Sequence, residues 1–190
     1  MSKEHLHDFH YQLEDWEIKG MLKTEKKEWV KSYAGDKPNY TIPEKANWDE
    51  RFLGMAHLVS TWSKDPSTKV GAVIVDKNKR IVSTGFNGFP KGIHDFSFRY
   101  DNKMLKYKMI VHAERNAILF AQRDLAGCTL YTWPVPCCAE CAAMVIQAGI
   151  KKVVVPNIDI VVGPQWSESF RIADMMFREA GVEVVKHDRL

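Results

Sequence analysis

From Trp48 onward the chain switches between two hydrophobic periods. Phe52, Met55, Ala56, Val59 and Trp62 recur three or four residues apart, behind the acidic pair Asp49 and Glu50. That spacing predicts an amphipathic helix with acids at its positive end. VGAVIVD and RIVSTGF are β-branched runs joined across KNK and its neighbours, which predicts a hairpin. A Gly-, Pro- and charge-rich stretch from Asn87 to about Lys103 reads as a loop. The periods then alternate: helix AERNAILFAQR, strand CTLYTW, helix AECAAMVIQAG, strand KVVVP, helix SFRIADMMFREAG, strand VEVVK. Ile118, Leu119 and Ala121 form a core-facing stripe on the first of these helices. Gly149 and Gly181 sit just past helical stretches, where left-handed caps are expected. The class is α/β: a largely parallel sheet covered on both faces, with the first hairpin antiparallel at one end.

The first forty-seven residues differ from this pattern. Leu6, Phe9, Leu13 and Trp16 keep helical spacing, a Lys/Glu-rich stretch runs to Tyr33, and GDKPNYTIPEK breaks any helix. We divide the chain into a helical extension and linker, 1–47, and one domain, 48–190. The extension carries eight lysines against nine acids, so it is not a polybasic nucleic-acid arm. A net charge of +3 on 190 residues neither demands nor excludes a nucleic-acid partner. No apolar run approaches the length of a membrane span and the N-terminus has no apolar signal core, so the expectation is a cytoplasmic protein without membrane contact.

All four cysteines fall between residues 128 and 141. Such crowding suits a metal site in a reducing compartment better than a disulfide framework. A catalytic zinc takes three protein ligands and leaves a fourth position to water. In VPCCAEC, Cys138 and Cys141 share one face of a helix start, where the dipole favours thiolate. Cys137 with Cys141 is nearly as good by spacing alone. The third ligand is His112, at the start of VHAERNAILF, because Glu114 follows it across one small residue. A glutamate in a first turn is ordinarily a solvated group. Beside a zinc ligand it can instead take and return the proton of a metal-activated water. Both helix starts follow the carboxyl ends of strand regions, where open α/β sheets carry their sites.

H-x-E followed by C-x-x-C at two helix starts is the signature of zinc-dependent nucleobase deaminases. WDERFLGMAHLVSTWSKDPSTKVGAVIV, STGFNGFPKG, LKYKMIVHAERNAI and CAAMVIQAGIKKVV closely resemble the deoxycytidylate (dCMP) deaminases, over Trp48 to about Val185. The resemblance implies a three-layer α/β/α deaminase fold with a five-stranded mixed sheet. It implies one zinc held by His112, Cys138 and Cys141, with Cys137 standing where the family usually has proline. Cys128 then reads as a small buried apolar residue. The implied reaction is hydrolysis of dCMP to dUMP and ammonia, feeding thymidylate synthesis, with Glu114 carrying the proton to ring nitrogen N3 and then to the leaving amine.

By the same resemblance Ala113, Asn87, Ser67, Lys69 and Tyr107 face the nucleotide. Gly85, Phe86, Asn87, Gly88 and Lys106 are the positions implied for a dCTP or dTTP effector with Mg²⁺. The relatives imply a homo-oligomer, a hexamer. Residues 87–111 hold no cysteine and only His94, so no second zinc is expected. Two other functions fit parts of the pattern. A deaminase acting on tRNA adenosine or single-stranded DNA cytosine would need a basic surface and stacking aromatics. A non-catalytic zinc module would need a fourth side-chain ligand from Cys137 or Cys128.

Overall fold

The computed structural model describes residues 46–157 and 164–187. The extension lies outside the described residues apart from Ala46 and Asn47. In chain order the elements are α1 (Trp48–Ser60), β1 (Gly71–Val75), β2 (Ile81–Phe86), α2 (Ser97–Asp101), α3 (Lys103–Met109), α4 (Ala113–Ala121), β3 (Thr129–Trp133), α5 (Ala139–Gln147), β4 (Lys152–Pro156), α6 (Pro164–Glu179) and β5 (Glu183–His187). The five strands form one sheet in the order β2-β1-β3-β4-β5. β1 runs antiparallel to both β2 and β3, while β3, β4 and β5 are parallel. The expected mixed sheet is present, with its antiparallel part at one edge.

Strand periodicity sorts the core into two layers. Val73, Val75, Tyr131 and Val154 meet Phe52, Leu53, Ala56 and Val59 of α1. Ala72, Ile74, Leu130, Val153 and Val155 point the other way, onto Ala113 and Ala117 of α4, Ala142 and Val145 of α5 and Phe177 of α6. Each fully buried branched side chain contributes about 1.5–3 kcal/mol, so both faces of these short strands are anchored by packing. Asn47 starts α1 with a capping box: its side chain accepts the Glu50 N–H and Glu50 returns a bond to the Asn47 N–H.

Gly85 explains how α4 sits on β2. A Cβ there would lie 2.3 Å from the Ala113 carbonyl oxygen and 2.4 Å from the Ala117 nitrogen. Only glycine lets the backbone carrying Glu114 rest directly on the strand. Gly149 and Gly181 take the left-handed conformation expected at their caps, φ +79° and +64°.

Three sequence expectations need correction. The stretch read as a loop to about Lys103 contains α2, and α3 follows. SFRYD has no side-chain cap and no acid in its first turn, and neither helix is long enough to show a period. Leu119 is 61 % exposed, because at 100° per residue it lies opposite the Ala117–Ala121 face. Trp62 falls beyond the end of α1, where its half-exposed ring meets the edge of Phe86.

Residues 94–108 separate as a compact unit from the sheet and its helices. Within that unit the Arg99 guanidinium lies over the Phe96 and Phe98 rings and donates to the His94 carbonyl.

Candidate metal centre and catalytic carboxylate

His112 and Cys138 occupy equivalent places. Each is the extended N-cap residue of its helix, and neither side chain takes the first N–H of its helix. Their carbonyls accept the first helical bonds, from Asn116 and Ala142. Both side chains therefore remain available for other chemistry while the backbone is fixed. His112 is held from behind by a two-bond bridge between Gly88 and Val111, at 3.1 and 2.8 Å.

The two helix starts bring three ligand atoms together. His112 Nδ1 lies 3.4 Å from Cys138 Sγ and 3.3 Å from Cys141 Sγ, and all three atoms fall within 4.8 Å of one another. Tetrahedral zinc with Zn–N of about 2.0–2.1 Å and Zn–S of about 2.3 Å separates nitrogen from sulfur by roughly 3.5 Å. The donor set and its spacing fit zinc. Among the described residues this is the one cluster of three that could hold an ion, and Cys137 is not part of it.

The local electrostatics match that use. The Cys141 thiol donates toward Cys138, and together with His112 it overcomes burial to hold the Cys138 thiol down to about 4. Cys141 is pushed up as the partner that keeps the shared proton, which a metal would displace. Cys138 raises the His112 imidazole against the opposing effect of burial. Arg115 forms an ion pair with Glu140, linking the first turns of α4 and α5, and its guanidinium also faces the Cys141 sulfur. Burial pushes the Cys137 thiol well up, with Glu114 nearby adding to the effect, so Cys137 stays a neutral thiol. Burial likewise raises Cys128, which packs in the core as an apolar residue.

Glu114 is 3 % exposed. Burial raises its carboxyl above the ordinary value, against the pull of His112. It has a Cys141 contact on one side and Cys137 on the other. Ala113 is fully buried, and its N–H meets no acceptor among the described residues. One helix turn thus presents an imidazole facing two sulfurs, an N–H without an acceptor among the described residues, and a buried carboxyl whose pKa is raised.

The segment 63–70 is organised differently. Asn87, 6 % exposed, accepts the Val70 N–H at 2.8 Å and donates to the Thr68 carbonyl at 2.9 Å and to Asp65 at 3.4 Å. The Ser63 hydroxyl donates to the Asn87 carbonyl. Buried Asp65 accepts from the Ser67 N–H and hydroxyl and from the Thr68 N–H. Ser67 and Lys69 are exposed on this turn; β2 ends at Phe86, just before Asn87, and Gly88, just after it, makes an isolated bridge to Val111. Lys106 and Tyr107 lie on α3 in the smaller unit, with the Lys106 Nζ 5.7 Å from the Tyr107 ring centre.

Sequence reasoning missed four residues here. Asp65 could have been found, since Asp-Pro-Ser is a turn signal in which aspartate bonds the backbone two residues on. Arg115 left no pattern that distinguishes it from a surface arginine. Trp166 and Ser169 come from a distant helix: the Trp166 ring lies 6.1 Å from the His112 ring, and the Ser169 Oγ accepts the Ala139 N–H at 2.9 Å.

The sequence matches the family described as "Cytidine and deoxycytidylate deaminase zinc-binding region" across residues 46–157. A deaminase of Aliivibrio fischeri, described as uncharacterized and located in the luxG 3' region, is 50% identical over 73% of this chain and 92% of its own length. The deoxycytidylate deaminase of Mus musculus is 40% identical over 71% of this chain and 76% of its own. Among solved structures, the dCMP deaminase of cyanophage S-TIM5 in complex with dCMP and dUMP superposes with a TM-score of 0.56. It is 30% identical, over 77% of this chain and 99% of that one.

Proposed function

Because the chain belongs to the cytidine and deoxycytidylate deaminase zinc-binding family, we propose that it hydrolyses dCMP to dUMP and ammonia. The observation that carries this is the meeting of His112 Nδ1 with two cysteine sulfurs at 3.3–3.4 Å, with a buried carboxyl two residues along the same helix. Bound by His112, Cys138 and Cys141, zinc supplies Lewis acidity that lowers the pKa of a water enough for attack near neutral pH.

The remaining work falls to the chain's own groups. Glu114 takes the proton of the attacking water and delivers it to N3 of the cytosine ring, which makes C4 more electrophilic. The water oxygen bonds to C4; its remaining proton then passes through Glu114 to the amino group, so that C4=O forms as the C4–N bond breaks and ammonia leaves. Burial suits it to this, because a carboxyl with a raised pKa holds a proton long enough to hand it on. The Ala113 N–H donates to the base carbonyl and orients the ring. Asn87 keeps both amide protons on its own backbone and side-chain partners. Among the described residues its Oδ1 takes only the Val70 N–H, so the second lone pair accepts a sugar hydroxyl. Ser67 and Lys69 supply a hydroxyl and a cation for the phosphate dianion.

The wider reading is a cytoplasmic homo-oligomer, a hexamer, with an effector site for dCTP or dTTP carried with Mg²⁺ near Gly85–Gly88. Ammonia release from dCMP, dCTP, deoxycytidine and a cytosine oligonucleotide tests the core of the proposal. The expected result is turnover on dCMP with one zinc per chain; turnover confined to the oligonucleotide overturns the substrate. Repeating the dCMP assay with dCTP–Mg²⁺ and dTTP–Mg²⁺, alongside light scattering for subunit number, decides the effector and assembly.

A further inference from the structure

Any helix start must satisfy its first N–H groups, and the N-cap side chain normally does so. At α5 that residue is Cys138, whose sulfur is a metal ligand. The Cys138 sulfur faces the Cys141 N–H at the third position of the helix, whose hydrogen bond helps hold the thiolate, and it leaves the first N–H of α5 to another partner. Ser169, the sixth residue of α6, places its Oγ 2.9 Å from the Ala139 nitrogen and accepts that N–H. One turn earlier on the same helix, Trp166 sets its ring against the imidazole of His112, with centroids 6.1 Å apart and planes at 43°. Centroid separations of about 4.5–7 Å at tilted angles are the favourable range for ring pairs. Residues three apart on a helix share a face, so a single turn of α6 reaches both halves of the metal centre.

We propose that Ser169 and Trp166 are positioning residues for the metal centre. Ser169 satisfies the Ala139 N–H, the first of the helix and next to Cys138, and so fixes the backbone that carries the Cys138–Cys141 pair. Trp166 restricts rotation of the His112 ring, which keeps Nδ1 turned to the sulfurs. Neither residue touches substrate or exchanges protons. The asymmetry between the two helix starts supports this division. At α4 the Ala113 N–H is left open, where the reaction needs a donor. At α5 the corresponding N–H of Ala139 is closed by Ser169, where the reaction needs only a rigid pair of ligands. The inference rests on the zinc site proposed above.

The test compares wild type, Ser169→Ala, Ser169→Thr and Trp166→Leu as full-length proteins, through transfer of zinc to a coloured chelator, the visible spectrum of the Co²⁺-substituted proteins, and melting with and without zinc. Loss of an outer partner of a metal ligand typically weakens metal binding about 10–100-fold. Ser169→Ala is expected to lose zinc about 10–100-fold more readily and to shift the cobalt–thiolate bands. Its zinc-dependent gain in Tm shrinks, while the zinc-free protein melts close to wild type. Ser169→Thr, which keeps the hydroxyl, is expected within about threefold of wild type, and Trp166→Leu between the two. A purely structural cap would lower the zinc-free and zinc-loaded melting temperatures together and leave the cobalt spectrum unchanged. That outcome, or a threonine variant no better than alanine, overturns the inference. A wild-type protein that binds no zinc refutes the metal site itself, which separates the two failures.

Discussion

Two buried polar clusters lie at the same end of the sheet region, and they treat their lone pairs and protons in opposite ways. Around Asp65 and Asn87 nearly every polar atom is matched to a backbone or side-chain partner, and the product is a fixed turn. Around His112 the imidazole and the cysteine sulfurs turn toward one another, and the Ala113 N–H meets no acceptor among the described residues. Burial is similar in both places: Asp65 and Glu114 are each almost entirely enclosed. Enclosure alone therefore does not mark a reactive site. Unmet hydrogen-bonding capacity, concentrated on a few convergent atoms, distinguishes the centre from its scaffold.

The largest effect should come from Glu114→Gln. The amide keeps the size and the burial of the side chain but cannot take or return a proton. Turnover of dCMP should fall at least about 10³-fold, with one zinc still bound and melting within a few degrees of wild type. Retained activity would remove Glu114 from the proton path. Loss of zinc together with activity would make it part of the ligand set, and the contrast between the two clusters would fail.

The second effect belongs to the fixed turn. Asn87→Ala strands the Val70 N–H and the Thr68 carbonyl, and Asp65→Ala strands the Asn87 amide and the Ser67 and Thr68 N–H groups. Each buried group left unpaired costs about 1–3 kcal/mol, so both variants should unfold at clearly lower urea concentration with zinc content unchanged. The pair also separates scaffold from binding. Through the Asn87 Oδ1, Asn87→Ala should raise KM for dCMP more than Asp65→Ala does. Equal KM values would confine Asn87 to the scaffold.

How much of this could be read beforehand follows the same division. The His112, Cys138 and Cys141 cluster and the neighbouring buried carboxyl were legible because metal chemistry restricts residue type and helix geometry restricts spacing, so His-x-Glu and Cys-x-x-Cys predict such a cluster locally. The strands from β1 to β5 were legible as short β-branched or apolar runs between helices, since central strands covered on both faces show no alternation. Spacing could not choose between Cys137 and Cys138; three-dimensional convergence on His112 leaves Cys137 outside the cluster. Leu119 was misplaced because an apolar side chain near a helix end satisfies the pattern without facing the core. Helices α2 and α3 are too short to display a period. Ser169 acts thirty residues from its partner, and a serine in mid-helix gives no local sign of serving another helix.

Cys137→Ser offers a smaller test of the boundary around the site. The thiol is buried beside Glu114 and stays protonated. A serine hydroxyl can donate to the same carboxyl, so zinc content should be unchanged and kcat should stay within about threefold, the scale of one weak neutral bond. Loss of zinc would bring Cys137 into the ligand set and revive the closed, non-catalytic metal module.

The smallest effect lies where the start of α1 meets the middle of β3 and the first residue of β4. Asp49 accepts the Tyr131 hydroxyl at 2.7 Å and the Lys152 ammonium at 3.0 Å, tying the first turn of α1 to the sheet. Burial works to raise the Asp49 carboxyl, but these two partners outweigh it and leave its pKa lowered. A folded-state pKa below the unfolded value means the contribution is fully present above the ordinary carboxylate pKa, and is lost as pH falls through the lowered one. Tyr131→Phe should therefore cost about 1 kcal/mol at pH 7. The difference in urea midpoint from wild type should narrow only below about pH 4. If the gap narrows at neutral pH instead, a group other than Asp49 is titrating. A constant gap down to the acid transition would mean the Tyr131 hydroxyl contributes equally to the neutral carboxylic acid, and the charge on Asp49 would not be what the scaffold uses.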